Sequence, residues 1–294
     1  MARYLIVNAD DFGLEDEVNA AVIEAHRRGV VTSASLIVNG RAFHNAASLA
    51  RETPTLGIGA HLCLTRGPSL YGGPVLAPTE VPSLVRGDGL FSQNPATLSA
   101  RIVLGFVKIS HIKMELDAQL ERIQSAGLRI SHIDSHQHIH LCPAVFRVVV
   151  ELARKYHVQW VRLPVSRMGR ETAGVSKWLK GEIVKKLGVR NAPVAAGTGL
   201  KFADCYAGIE CAGRLSEKKI ERMLLNLPHG VVELLCHPGL DDIQLSRNHP
   251  WGYKWTEELS ALCSARVRKA IDKAGFNLTN YSELVGKRSS LASG

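Results

Sequence analysis

Two short stretches concentrate the side chains that can do chemistry. Asn8-Ala9-Asp10-Asp11-Phe12-Gly13 sets two carboxylates side by side where an apolar run ends. Ser131 to His140 crowds His132, His136, His138 and His140 around Asp134, four of the chain's 12 histidines. A lone Asp-Asp is most simply a helix N-cap, since acids favour helix starts. The histidines change that reading, because imidazoles alternating along a strand end share one face and can share a metal. His61, which closes Gly59-Ala60-His61-Leu62, supplies a second ring from another strand. Two histidines and one carboxylate leave coordination positions open for water and substrate, the arrangement of a catalytic metal. Asp11, His61 and His136 are therefore the candidate ligands of one divalent ion, with zinc first and magnesium, cobalt, nickel or manganese as alternatives.

Two further residues belong with this set. Arg162, in Val161-Arg162-Leu163-Pro164, falls on an apolar run that predicts a buried strand, where a guanidinium needs a carboxylate; Asp10 is the expected partner. Cys236-His237-Pro238-Gly239 ends another run, and the proline favours an extended His237 directed toward the mouth of the fold. A plain turn histidine is the competing reading there.

The elements that must hold these residues follow from periodicity. Tyr4 to Asn8 is apolar without a helical period, and Leu14, Val18, Ala21, Val22 and Ala25 then recur at helical spacing. The alternation returns at Ser35–Val38 and Ala42–Arg51, at Leu56–His61, at Ile130–Ile133 and Pro143–Tyr156, at Val158–Leu163 and at Val231–Cys236. Strands alternating with helices predict a parallel sheet of the α/β class. No Gly-x-Gly-x-x-Gly follows the first run, and the polar residues sit where apolar runs end, which in a βα-barrel is the face that carries chemistry. The expectation is a single distorted (β/α) barrel over residues 1–294 with six or seven parallel strands. Two insertions interrupt it: the Gly- and Pro-rich Pro68–Pro95 with a long helix Ala96–Ala126, and the basic segment 166–199.

With 46% apolar and 21% charged residues the 294-residue chain is globular rather than disordered. No apolar run reaches the ~20 residues that cross a bilayer, so a cytoplasmic protein is expected. Six cysteines show no Cys-x-x-Cys pair, which argues against a zinc ribbon or a disulfide framework. Of the net charge of +9, six units lie between Arg162 and Arg190. There Val175, Trp178, Leu179, Ile183 and Leu187 alternate with lysines as in a basic amphipathic helix, which suggests peripheral contact with an anionic membrane through 166–199. Ile102–Val107 is apolar around the helix and is expected to be buried against protein, lipid or substrate. No aromatic-interleaved basic patch or helix-turn-helix accompanies the charge, so nucleic acid is not an expected partner.

Taken together, Leu5–Gly13, Val31–Ser35, Asn39-Gly40, Gly59–His61, His132–His140, Arg162–Pro164 and Cys236–Pro238 resemble the YdjC-like carbohydrate deacetylases, most closely their hopanoid biosynthesis-associated subgroup, HpnK. The resemblance spans nearly the whole chain. It implies a divalent ion on Asp11, His61 and His136, and removal of acetyl from an N-acetylated amino sugar. In the subgroup that sugar is an N-acetylglucosamine on a polycyclic lipid's polyol tail; the alternative is a chitooligosaccharide of the chitobiose type. Asp10, oriented by Arg162, would take the water's proton, and His237 would protonate the departing amine. Asp134 would orient a ligand imidazole, with His132 and His138 as further members of that outer layer. The family often carries a histidine where this chain has Gln137. Competing readings are an iron oxygenase using His132-Ile-Asp134, another metal amidohydrolase, and a basic binding protein whose histidines only sequester metal.

Overall fold

The computed structural model describes residues 2–66, 73–168 and 175–284. Parts of both insertions, 67–72 and 169–174, fall outside the described residues, as do the side chains of Val175 and Lys177. β1 (Arg3–Phe12) leads to α1 (Asp16–Arg28), β2 (Ser33–Leu36) to α2 (Phe43–Arg51), and β3 (Gly57–Leu62) to α3 (Pro95–Val103) and α4 (Ile109–Ser125). β4 (Ile133–Ser135) precedes α5 (Pro143–Lys155), β5 (Arg167–Met168) precedes α6 (Val175–Gly197), and β6 (Cys205–Ala207) precedes α7 (Glu217–Leu224). After β7 (Gly230–Cys236) come α8 (Asp242–Asn248), α9 (Trp255–Leu262), α10 (Ala265–Lys273) and β8 (Asn277–Leu278).

The strands form one parallel, eight-stranded sheet in the order β4-β3-β2-β1-β7-β6-β5, with β8 alongside β1. β5 and β8 have two residues each, and the six longer strands make a curled α/β half-barrel flanked by helices. β1 is the centre of this sheet. Its residues Leu5, Val7 and Ala9 are fully buried, and its register against β7 is unbroken from Arg3↔Gly230 to Ala9↔Cys236. A strand buried on both faces reads as a continuous apolar run, the pattern at Tyr4–Asn8.

Three expected elements differ. Val158–Leu163 runs between neighbours but pairs only through single bridges, Val161 with Ile133 and Trp160 with Lys201, because Pro164 has no N–H and the chain departs there. The long helix Ala96–Ala126 is two helices, broken where Gly105 takes φ 77°, the left-handed cap that ends a helix. Of the apolar segment at that break Ile102 and Val107 are buried, whereas Val103, Leu104 and Phe106 are 82%, 68% and 67% exposed. Finally, the histidine run does not stay extended after β4. It folds into a tight 3-10 segment, His136–Leu141, with Gln137 and His138 in the left-handed region, so its imidazoles point to different places rather than along one face.

One close approach fixes β3 against β4. A Cβ on Gly59 would lie 2.1 Å from Cε1 of His132, so only glycine lets this ring lie flat on the strand. Gly59→Ala is expected to destabilise the protein by about 1–3 kcal/mol in urea unfolding. An unchanged midpoint would mean that the His132 ring has room to move aside.

Candidate metal centre and catalytic pocket

β1 positions both aspartates by ending irregularly. Its register against β2 shifts between Ala9 and Phe12, and Asp11 sits at φ 63°, a conformation Asp tolerates better than most side chains. This break sends the two carboxylates to different neighbours. Asp11 Oδ1 lies 3.1 Å from His136 Nδ1 and 3.4 Å from His61 Nε2. The potential ligand atoms of Asp11, His61 and His136 all fall within 4.8 Å of one another, and all three residues are buried. His61 is aimed from behind: its Nδ1 donates to Asp134 Oδ1 at 2.8 Å, which turns Nε2 toward Asp11. A carboxylate-oriented imidazole of this kind is how ligating histidines are held.

The electrostatics match a cation site. Burial works against the charged form of Asp11, yet the imidazoles of His136 and His61 hold its carboxyl well below the usual range. Burial likewise opposes charge on His61, but the carboxylates of Asp134, Asp10 and Asp11 together push its pKa up to about 10. A proton thus stands where negative charge is waiting to be neutralised. The donor set, one carboxylate and two imidazoles, suits zinc and other first-row divalent ions. Asp10, His61 and Asp134 form a second close group, but two of its carboxylates already hold a guanidinium.

That guanidinium is Arg162, which is fully enclosed. Its two terminal nitrogens donate to both oxygens of Asp10 at 2.8 Å, Nη1 lies 2.7 Å from Asp134 Oδ2, and Nε donates to Glu233 Oε1 at 2.7 Å. Burial would lower its pKa, but Asp10, Asp134 and Glu233 hold it well above the ordinary value. Asn8 and Ser35 complete the cluster: Asn8 Nδ2 donates to Asp10 Oδ1 and to Ser35 Oγ, which donates to Asp134 Oδ2 at 2.7 Å. Glu233 and Ser35 did not stand out in the sequence. The signal for Glu233 was a lone acid inside Gly230–Cys236, a strand otherwise apolar and buried.

The remaining histidines separate by position. His132 stacks on Tyr281 with ring centroids 4.0 Å apart and touches Ser35 Oγ at 3.1 Å, so it backs Asp134 through one hydroxyl; burial pushes its pKa down to about 4. His140 is tied to the Arg162 carbonyl at 2.9 Å and to Ser135, a structural wedge. His138 lines the cavity, edge-on to Tyr206, and makes no contact with the ligand set. His237 lines the cavity as well; its Nδ1 is enclosed without a partner and burial lowers its pKa. Its backbone N–H donates to Glu258 on α9, whose carboxyl burial pushes up to about 7.

Asp10, Asp11, His61, His136 and His237 share one cavity of about 370 Å³. One wall comes from a loop in which the sequence showed no period, Pro250–Lys254. Trp251 packs 5.4 Å from the His136 ring and 5.4 Å from Tyr253, and Tyr253 meets His237 edge-on at 5.0 Å. Lys180 of α6 reaches the same cavity.

Comparison with known proteins adds an independent line. A family model described as YdjC-like protein matches residues 4–273. A protein from Brevibacillus brevis named carbohydrate deacetylase is 36% identical over 280 residues, covering 95% of this chain and 99% of that one. A chitooligosaccharide deacetylase from Escherichia fergusonii is 32% identical, with 97% and 100% covered. Among solved structures, a protein from Enterococcus faecalis with a proposed role in cellobiose-phosphate cleavage superposes with a TM-score of 0.76 at 30% identity, covering 97% of this chain and 99% of that chain.

The raised pKa of His61 sets a pH dependence. Below about 10 the metal-free protein carries a proton on His61 that an incoming ion must displace. Zinc added to metal-free protein at pH 8 should therefore release about one proton per ion, and affinity should rise with pH up to that limit. Calorimetry in buffers of different ionisation enthalpy measures this; binding without proton release would place the ion elsewhere.

Proposed function

Because the chain belongs to the YdjC-like family, we propose that it is a metal-dependent carbohydrate deacetylase that hydrolyses the N-acetyl group of an N-acetylglucosamine-bearing substrate. The observation that carries this reading is the meeting of His61 and His136 on one oxygen of Asp11, next in sequence to an Asp10 clamped by Arg162. Asp11, His61 and His136 would hold the ion, zinc first with magnesium, cobalt, nickel or manganese as alternatives. When bound, such an ion polarises an acyl oxygen and acidifies water.

The chain's own residues then divide the proton transfers. Asp10 accepts the proton of the attacking water with a lone pair left by its bonds to Arg162 and Asn8, which hold the carboxylate oriented. His237, which lines the same cavity, gives a proton to the nitrogen as the C–N bond breaks, since an amide anion is too poor a leaving group to depart alone. Burial lowers this ring's pKa, so once it has taken a proton from solvent, drawn by the negative charge developing on the acetamide, it gives that proton up readily. Asp134 aims His61, with His132 behind it. His138 has no such role, since it touches no ligand; it lines the space the sugar would fill.

For the substrate's carrier, the reading is an N-acetylglucosaminyl hopanoid, met by a protein that is cytoplasmic and touches the inner face of the membrane. It is supported by the resemblance to the HpnK subgroup and by exposed apolar surface on helices that both pack on the His136–Leu141 segment. On α6, Leu179 and Ile183 are 53% and 52% exposed. They share with exposed Lys186 and Arg190 an arc of about 60°, at 100° per residue. No helix among the described residues is long and apolar enough to cross a membrane. The names of the relatives favour the alternative, a chitooligosaccharide substrate.

Asp10→Asn should keep metal and lose about 10²-fold or more in turnover, while His136→Ala should lose metal and activity together. Acetate release and metal content check this, and equal metal loss in both would overturn the division of roles. For the carrier, vesicles with anionic lipid should sediment the protein at low salt and release it at high salt, while zwitterionic vesicles should not. Absence of salt-sensitive binding, together with turnover of chitobiose, would favour the soluble sugar.

A further inference from the structure

The wall formed by Pro250–Lys254 has no task in the reaction described so far, although it runs from the metal site to the proton donor. Its rings form an unbroken arc: His136 to Trp251 at 5.4 Å, Trp251 to Tyr253 at 5.4 Å, and Tyr253 to His237 at 5.0 Å. On the deacetylase reading, a scissile acetamide must lie along this arc. Its carbonyl oxygen faces the Asp11, His61 and His136 end and its nitrogen faces His237. Tyr253 sits beside the bond between them.

Resting on that reading, we infer that Tyr253 is a further catalytic residue whose phenol O–H donates a hydrogen bond to the acetyl oxygen as that oxygen gathers charge. Three observations support the assignment. The ring lines the cavity, and its hydroxyl has no hydrogen-bond partner among the described residues. The ring is also held rigidly. Gly213, at φ 72°, leaves just enough room, since a Cβ there would lie 2.0 Å from Tyr253 Cδ1. In the two residues that follow it, the Lys254 N–H donates to the Gly213 carbonyl at 2.7 Å and the Trp255 carbonyl accepts from the Gly239 N–H at 3.2 Å. The second bond ties the loop to the same turn that carries His237. A donor fixed before the reaction costs no reorganisation when charge develops, which is what makes such donors effective. Burial pushes the phenol's pKa up, so it remains a donor throughout the range in which the enzyme would work. Other polar groups lining the cavity fit the task less well. Lys180 is a cation on a helix at the rim, and His138 lies edge-on against Tyr206, away from this arc.

Tyr253→Phe tests the assignment, because it removes one oxygen and leaves the ring against Gly213. With N-acetylglucosaminyl polyol and with chitobiose, kcat should fall about 10²- to 10³-fold while KM changes little. Zinc stoichiometry and melting temperature should stay as in the wild type. A tetrahedral methylphosphonamidate analogue of the acetamide should lose affinity by a similar factor, whereas the amine product should bind as before. A kcat within about threefold of wild type, or a loss confined to KM, overturns the assignment while leaving the deacetylase reading intact. A wild-type protein that releases no acetate from either sugar overturns both.

Discussion

One buried guanidinium sets the geometry of this protein. Arg162 is shared among Asp10 on β1, Asp134 on β4 and Glu233 on β7; all four side chains are buried, and of them only Asp10 lines the cavity. Three carboxylates against one cation are an expensive arrangement inside a protein, and removing one partner of such a cluster typically costs about 3–5 kcal/mol. A purely apolar junction would hold these strands together at least as well. What the ionic one adds is orientation. Asp10 is fixed by both oxygens, and Asp134 is fixed by one oxygen so that the other can aim His61. Both are thus set within hydrogen-bond precision by a residue that is itself fully enclosed.

Backbone strain does the complementary work. Asp11, Gln137 and His138 all sit at positive φ, a conformation that costs a non-glycine residue about 1–3 kcal/mol. At Asp11 the twist separates two neighbouring carboxylates, one to Arg162 and one to the imidazoles. After β4 it turns the chain so that His136 meets Asp11 while His140 goes inward to the Arg162 carbonyl. Without those turns the alternating histidines would lie on one face and the pocket would lose its asymmetry.

How much of this could be read from the amino-acid sequence depends on whether the signal was local. The parallel sheet was legible because β1 and β7 are continuous apolar runs and the helices carry a clear 3.6-residue period. Asp10, Asp11, His61, His136 and His237 drew attention because each stands where such a run stops. Arg162 drew attention as a charge inside one. Glu233 offered the same signal and lay in a strand read only for its end. The fate of the histidine run was not legible, because positive φ at Gln137 and His138 is imposed by packing rather than by residue type. Nor was the aromatic wall, since Pro250–Lys254 has no period and only the tertiary fold brings it over the site. The break at Gly105 was hidden by an apolar segment that reads as helix on either side.

Asp134 is bonded to both halves of the site, to His61 on one oxygen and to Arg162 on the other. Whatever alters charge on His61 is therefore felt, three contacts away through Asp134 and Arg162, at Asp10. By thermodynamic reciprocity, a cation held at Asp11 and the hydrogen bonds that orient Asp10 would strengthen or weaken one another to the same degree. Filling the centre and ordering the carboxylate beside it would then be one linked equilibrium, carried by Asp134.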